Sequence, residues 1–321
     1  MKVVVVGGVA GGMSAAARLR RLDESAVIVV LERDKYVSFA NCGLPYHIGG
    51  DITQREDLLL QTPTSLHESL GLDVRTSHEV LSIDTAARTV TVHDRAMGTE
   101  YVEPYDTLVL ATGASPLRPP LPGIDHPRIR TLRNIPDMDA IIDILDGDVS
   151  SAVVIGGGYI GLEMVEALSH RGVDVTLVEA VDQVMTVLDP EMATHLQEHL
   201  LLNGVRVMLS SKAVGFSDAD GKVVVELESE SITTDLVIMA VGVRPESSLA
   251  KAAGLNLSDR GAVIVDSHMR TSDPDIFAVG DSVQVIDTVT GEAVVVPLAG
   301  PANRQGRIAA DNICGRASSY S

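Results

Sequence analysis

The chain has 321 residues, a formal net charge of −19 and hydrophobic side chains at 45% of its positions. The length points to about two domains. The acidity argues against a nucleic-acid partner, because phosphate neutralisation needs a basic face. Two cysteines in so long a chain exclude a disulfide framework and fit a reducing compartment.

Aromatic residues are 3% and tryptophan is absent, so the cores are built from Val, Ile, Leu, Ala and Met. No stretch approaches the ~18–20 apolar residues of a membrane span. The opening run Lys2-Val3-Val4-Val5-Val6 enters a glycine-rich turn instead of a cleavage site. The expected location is the cytoplasm, with no membrane partner. No metal site is assigned.

In chain order, residues 2–6 form a β-branched strand, followed by Gly7-Gly8-Val9-Ala10-Gly11-Gly12 and a helix from Met13 to Leu22. A second strand, Val27 to Leu31, ends at Glu32. Residues 73–75, 80–83 and 88–92 read as short antiparallel strands. Residues 105–110 read as a buried strand stopping at Ala111-Thr112-Gly113, and 114–127, with five prolines, as a linker.

The first pattern then returns. Ala152 to Ile155 is a strand, Gly156-Gly157-Gly158-Tyr159-Ile160-Gly161 a second loop, and a helix runs through Leu168. A strand from Val173 to Val178 ends at Glu179, with further strands near 205–209, 222–227 and 236–241, before Gly242. The fold expected is α/β, with two Rossmann-like three-layer nucleotide-binding domains. The second is inserted into the first: residues 1–113 and 243–321 make one domain and 114–242 the other.

Each loop suits a dinucleotide. The first glycine makes the turn, the second lets backbone approach the diphosphate, and the third lets helix pack on strand. The diphosphate then meets the helix N-terminus. Gly156, Gly158 and Gly161 fit fully, whereas Gly7 and Gly12 flank Val9 at the middle position. Glu32 lies 20 residues past Gly12 and Glu179 18 past Gly161, where an acid accepts ribose hydroxyls. Glu179 is followed by Ala180-Val181-Asp182 with no basic side chain, which favours NADH over NADPH and leaves NADPH open as a donor.

Cys42 stands in Ser38-Phe39-Ala40-Asn41-Cys42-Gly43-Leu44-Pro45-Tyr46, and the only other cysteine is Cys314. A thiol with no near neighbour cannot close a local disulfide, so it cycles through a sulfenic acid, a persulfide or a mixed disulfide. Pro45 suits a first helical turn, which sets Cys42 at a helix N-terminus, where a thiol pKa falls. Cys314 follows a helical run and reads as structural. His47 reads as a packing or solvent-facing residue, with a base role as the alternative.

Cys42 and its flanks, Val109-Leu110-Ala111-Thr112-Gly113 and Asp275-Ile276-Phe277-Ala278-Val279-Gly280-Asp281 together resemble the FAD/NAD pyridine nucleotide–disulfide oxidoreductases over essentially the whole chain. The single-cysteine branch fits best: coenzyme A disulfide reductases, CoA persulfide (polysulfide) reductases, NADH oxidases and NADH peroxidases. The resemblance implies FAD on the first loop and NADH on the second. It places Asp281 at the flavin ribityl chain, Leu298 and Ala299 near the pyrimidine end, Tyr159 over the flavin and Glu163 near the nicotinamide. It extends the candidate cofactor contacts to Gly8, Ala10, Gly11, Arg33, Asn41, Val80, Ala111, Thr112, Gly113, Ile160 and Gly242.

Peroxidases and many oxidases of this family carry a histidine where this chain has Ala10, so the resemblance favours CoA disulfide or CoA persulfide as the small-molecule substrate. It implies that Ser38 and Asn41 position this substrate beside Cys42. It further implies that Arg18, Arg20 and Arg21 on the first helix supply charge for CoA phosphates, and that Asn303 and Arg307 touch the pantetheine arm or phosphate. An NADH oxidase cycling through a Cys42 sulfenic acid, and a flavoprotein electron-transfer reductase or redox sensor, are the alternatives. Relatives continue into a C-terminal dimerisation domain, so the expectation is a truncated piece of a homodimeric protein.

Overall fold

The computed structural model describes residues 1–321. Its eight α-helices are α1 (Ala10–Leu22), α2 (Leu44–Gly49), α3 (Pro63–Leu70), α4 (Ile135–Leu145), α5 (Tyr159–His170), α6 (Pro190–Leu202), α7 (Ser248–Ala252) and α8 (Ala299–Ile313). The chain divides into two compact units. One comprises Met1–Phe39, Leu59–Ser115 and Arg244–Ser321, and the other Ala40–Leu58 and Pro116–Val243.

The first unit is built on a five-stranded sheet ordered Ile276–Ala278, Thr107–Leu110, Lys2–Val6, Val27–Glu32, Asp73–Thr76, with every pairing parallel. Buried parallel strands read as continuous apolar runs because helices cover both faces. Val3, Val4 and Val5 have no exposed surface, and burying each such side chain contributes about 1.5–3 kcal/mol before entropy is counted. Alanines and a leucine (Ala15, Ala16, Leu19) form the buried stripe of α1, and Arg20 and Arg21 in its last turn suit the helix dipole. Helix α3 starts with a capping box between Thr62 and Ser65 and stops at Gly71 in the left-handed region.

Residues 73–75 do not join an antiparallel set. Asp73–Thr76 pairs parallel with Val27–Glu32, because α3 carries the chain back over the sheet as a crossover. The antiparallel meander is instead His78–Asp84, Thr89–Asp94 and Thr99–Pro104.

The second unit repeats the plan. Its parallel sheet is ordered Arg206–Met208, Asp174–Val178, Ser151–Ile155, Leu236–Met239, Ile129–Arg130. An antiparallel meander of Ala213–Ala219, Lys222–Leu227 and Ser231–Thr234 accompanies it. The proline-rich stretch is not a free linker. Leu121 and Ile124 pack on this unit's core. Phe216 N–H donates to the Pro122 carbonyl at 2.8 Å, and a Cβ on Gly123 would stand 2.0 Å from the Phe216 carbonyl oxygen.

The compact units also divide the chain differently from the expected 1–113 segment. Residues Ala40–Leu58 pack with the second unit, because α2 lies against α5 and α4: Gly49 sits on Ala167, and Pro45 and Tyr46 stand beside Glu163 and Glu166.

Candidate active site

The two glycine loops have nearly superimposable local chemistry. Gly7 and Gly156 have φ of +104° and +108°, a region that side chains rarely adopt. A Cβ there would stand 2.2 Å from the Ala111 oxygen and 2.4 Å from the Ala240 oxygen. A Cβ on Gly12 or Gly161 would lie 1.9 Å from the carbonyl oxygen of Gly7 or Gly156 respectively, so helix and loop touch backbone to backbone. Val9 at the middle position has φ of −112°, which an L side chain adopts without strain.

The acids complete each cradle from below. Glu32 accepts Gly8 N–H at 2.7 Å and Asp34 N–H at 2.8 Å. Glu179 accepts Gly157 N–H at 2.6 Å and Val181 N–H at 3.1 Å. Burial of Glu32 raises its carboxyl pKa, opposed by the amides of Asp34 and Gly8. A carboxylate has about four acceptor sites, so each acid retains capacity for ribose hydroxyls.

Neither α1 nor α5 has a side-chain N-cap bond or an acidic residue in its first turn. A Cβ on Gly158 would meet nothing within 4 Å. Uncapped N–H groups and the positive end of each helix dipole suit a diphosphate. The residues of both loops therefore fit a dinucleotide.

In the first unit, Asp281 lies in a 3-10 turn, Gly280–Ser282, whose Gly280 has φ of +82°. The Gly280 N–H donates to Gln305 Oε1 at 2.7 Å, and Gln305 is 2% exposed. Leu298 is the N-cap of α8, and Leu298 and Ala299 are exposed. Helix α8 crosses α1 at Gly306 and Gly11, and Ser14 Oγ donates to Asn303 Oδ1 at 2.7 Å. Ser38, at φ +47°, donates its N–H to the Gly8 carbonyl at 2.8 Å.

Thr112 Oγ1 donates to the Glu246 carbonyl, and the Gly113 carbonyl accepts Glu246 N–H at 2.9 Å. Arg33 stands 3.9 Å from Glu246 Oε2. Val80 is a core residue, at a bulge between Val80 and Ser82.

The arginine group divides. Arg18 pairs with Asp311 of α8 at 2.8 Å. Arg20 holds the carbonyls of Leu70 at 2.8 Å, Gly71 at 3.2 Å and Glu24 at 2.6 Å, which makes it a clamp on the chain. Arg21 and Arg307 are exposed.

In the second unit, Cys42 is an exposed free thiol in the 3-10 turn Asn41–Gly43 that leads directly into α2. Asn41 Nδ2 donates to the Arg133 carbonyl at 3.2 Å. Gly43 is buried, and a Cβ there would stand 2.6 Å from Leu58 Cδ2. His47 Nδ1 lies 2.6 Å from the Ile52 carbonyl, which makes it a donor that closes the segment behind α2.

Tyr159 is 56% exposed at the start of α5, in the first turn with Ile160. Gly242, at φ +108°, occupies in this unit the place of Gly113 in the other. Glu163 lies one turn into α5 beside Pro45, Tyr46, Asp51 and Glu166. Its carboxyl pKa is raised, by burial first and the Glu166 charge second. Cys314 packs against the core of the first unit, where burial raises its thiol pKa.

Residues 1–306 match the pyridine nucleotide-disulphide oxidoreductase family. The chain belongs to that family. Curated members include an NADH oxidase of Methanocaldococcus jannaschii, 38% identical over 98% of this chain and 70% of that protein. A coenzyme A disulfide reductase of Staphylococcus haemolyticus is 35% identical over 98% of this chain and 70% of its own length.

Among solved members, the reduced CoADR-RHD of Bacillus anthracis matches with a TM-score of 0.97 and 48% identity, over 99% of this chain and 58% of that one. An NAD-dependent persulfide reductase from A. fulgidus gives 0.97 and 39%, over 100% of this chain and 60% of that one. The chain thus spans less than two thirds of those two solved proteins.

Two contributors were not singled out from sequence. Gln305 could have been, as a polar residue on the face of α8 that buries Ala302, Gly306 and Ala309. The Arg55–Asp139 pair had no local signal, because 84 residues separate its members.

Proposed function

We propose that the chain is the nucleotide- and thiol-bearing part of an FAD-dependent NAD(P)H reductase acting on CoA disulfide or CoA persulfide. The observation that carries this is the exposed, solitary Cys42 thiol at the entrance to α2, with the second cysteine packed against another core. In this reading the first unit holds FAD and the second NADH, with NADPH as the less favoured donor. FAD, when bound, relays two electrons from NADH to sulfur.

The chain's own residues do the rest. The Cys42 thiolate attacks one sulfur of CoA disulfide, forming a Cys42–S–S–CoA bond as one CoA thiolate leaves. Two electrons from NADH then cleave that bond, restoring Cys42 and releasing the second CoA thiol. One NADH and one proton are consumed per disulfide, and two CoA thiols and one NAD⁺ are formed. Ser38 and Asn41 border the thiol in sequence and supply polar contacts, while Arg18, Arg21, Asn303 and Arg307 offer cationic and amide groups to CoA phosphates and pantetheine.

Homodimerisation of the intact protein and a cytoplasmic location belong to the same proposal. No helix is long and apolar enough to cross a membrane.

The test is anaerobic NADH consumption by the FAD-loaded protein, with CoA disulfide and CoA persulfide offered separately and Cys42→Ser as control. Turnover on either that disappears in Cys42→Ser, with FAD still bound, supports the reading. Undiminished turnover by Cys42→Ser sinks it. An NADH oxidase cycling through a Cys42 sulfenic acid is the second reading, favoured by the 38% identity to the M. jannaschii NADH oxidase. It predicts no turnover on either sulfur compound and rapid NADH consumption once air is admitted.

A further inference from the structure

The segment that carries Cys42 is closed on itself and fastened at both ends to one helix. Ala40 N–H donates to the Leu58 carbonyl at 2.9 Å, which joins the two ends of Ala40–Leu58. Leu58 is fully buried, and its side chain lies against Gly43, the residue after the thiol. Any side chain at Gly43 would collide with it, so the cysteine turn rests directly on Leu58.

Leu58 ends a 3-10 turn, Arg55–Leu58, whose first residue is Arg55. The Arg55 guanidinium grips Asp139 of α4 with two parallel bonds, Nε to Oδ1 at 2.8 Å and Nη2 to Oδ2 at 2.7 Å. The other flank is held by the approach to the same helix. Asn41 Nδ2 donates to the Arg133 carbonyl, Arg133 N–H donates to Asp137 Oδ2 at 2.9 Å, and Asn134 caps α4 through Asp137 N–H at 3.0 Å. The start of α4 thus holds the thiol turn from both sides.

We propose that Arg55 is a positioning residue for the Cys42 thiol, acting through Leu58 and anchored by Asp139. A single-point exposed ion pair contributes little, but a bidentate arginine–carboxylate fork fixes direction as well as distance. The path from Asp139 through Arg55 to Leu58 and on to Gly43 has no long flexible side chain except the arginine, and both ends of that arginine are held. Lysine cannot reproduce the fork, because its ammonium is a point donor. The inference rests on Cys42 being the reactive thiol of the proposed function.

The experiment measures alkylation of Cys42 by iodoacetamide, with Cys314 as internal reference, in wild type, Arg55→Met, Arg55→Lys and Asp139→Asn. In the FAD-loaded protein kcat and KM for CoA disulfide are measured alongside, with NAD⁺ affinity as control. Both Arg55 variants and Asp139→Asn are expected to speed Cys42 alkylation about threefold as the turn loosens. Each lowers kcat about tenfold through misplacement of the sulfur. Cys314 alkylation and NAD⁺ affinity stay at wild-type values.

The double variant Arg55→Met with Asp139→Asn is expected to be no worse than either single change, since both break one path. Wild-type alkylation of Cys42 in Arg55→Met, full rescue by Arg55→Lys, or equal acceleration at Cys314 would each overturn the proposal. Alkylation does not depend on the acceptor. Accelerated Cys42 alkylation in a protein that turns over no CoA disulfide would therefore support the positioning role while removing the substrate reading.

Discussion

Gly306 of α8 lies on the backbone of Gly11 at the start of α1: a Cβ on Gly306 would stand 2.3 Å from the Gly11 carbonyl oxygen and 3.0 Å from the Ala15 nitrogen. Backbone cannot yield as a side-chain tip can. Gly306→Ala must push α8 away from the glycine loop, and overpacking of this kind costs about 1–3 kcal/mol. We expect a lower unfolding midpoint and weaker FAD binding, read by thermal denaturation and flavin titration. Stability and FAD affinity equal to wild type would show that the two helices are not held this closely.

Gln305 turns the same helix toward the Asp281 turn. Gln305→Leu keeps the volume but leaves the Gly280 N–H without its acceptor, which costs about 1–3 kcal/mol for a buried amide. The expected result is an FAD dissociation constant raised about tenfold, corresponding to 1.4 kcal/mol, with unaltered NAD⁺ binding. Equal losses of FAD and NAD⁺ affinity would point to general destabilisation instead.

Glu179 is the acid under the second loop, held by Gly157 and Val181 amides. Glu179→Ser removes the charge that repels a 2′-phosphate. The ratio of kcat/KM for NADPH to that for NADH should rise about tenfold, or 1.4 kcal/mol. Steady-state kinetics with both donors decide it, and an unmoved ratio would mean that another residue reads the ribose.

Asp235 carries a pH dependence with a definite sign. Burial alone would raise its pKa, but the Lys222 ammonium and the amides and hydroxyls of Ser150 and Ser151 outweigh that and hold it well below the usual carboxylate range. A depressed folded-state pKa contributes stability that is present above the unfolded value of about 3.9 and is lost as pH falls below it. Asp235→Asn should therefore destabilise by about 1–3 kcal/mol at neutral pH. Urea unfolding should show the gap to wild type narrowing as pH drops below about 4. A gap that stayed constant down to pH 3 would contradict the assignment.

Much of the site was legible without coordinates because its requirements are local. A glycine where φ must be positive, a β-branched run before it and an acid some twenty residues on are all set within one βαβ unit, so both loops, Glu32 and Glu179 could be read from spacing. Cys42 was legible because the absence of a second nearby cysteine is a property of the sequence itself.

Tertiary structure decided what distant segments do to one another. The parallel pairing of Asp73–Thr76 depends on a helix crossing back over the sheet, and short alternating runs look alike whichever way they pair. The prolines of 114–127 suggested a linker, yet Leu121 and Ile124 find a core to bury against. Arg20 looked like one of three equivalent cations until the carbonyls of Leu70 and Gly71 met it. The sequence by itself determined the two nucleotide cradles and the solitary thiol, because backbone sterics and covalent spacing act over a few residues. Only the folded chain decided which unit carries that thiol and which arginine steadies it, because hydrogen bonds such as Arg55 to Asp139 join residues that no local pattern connects.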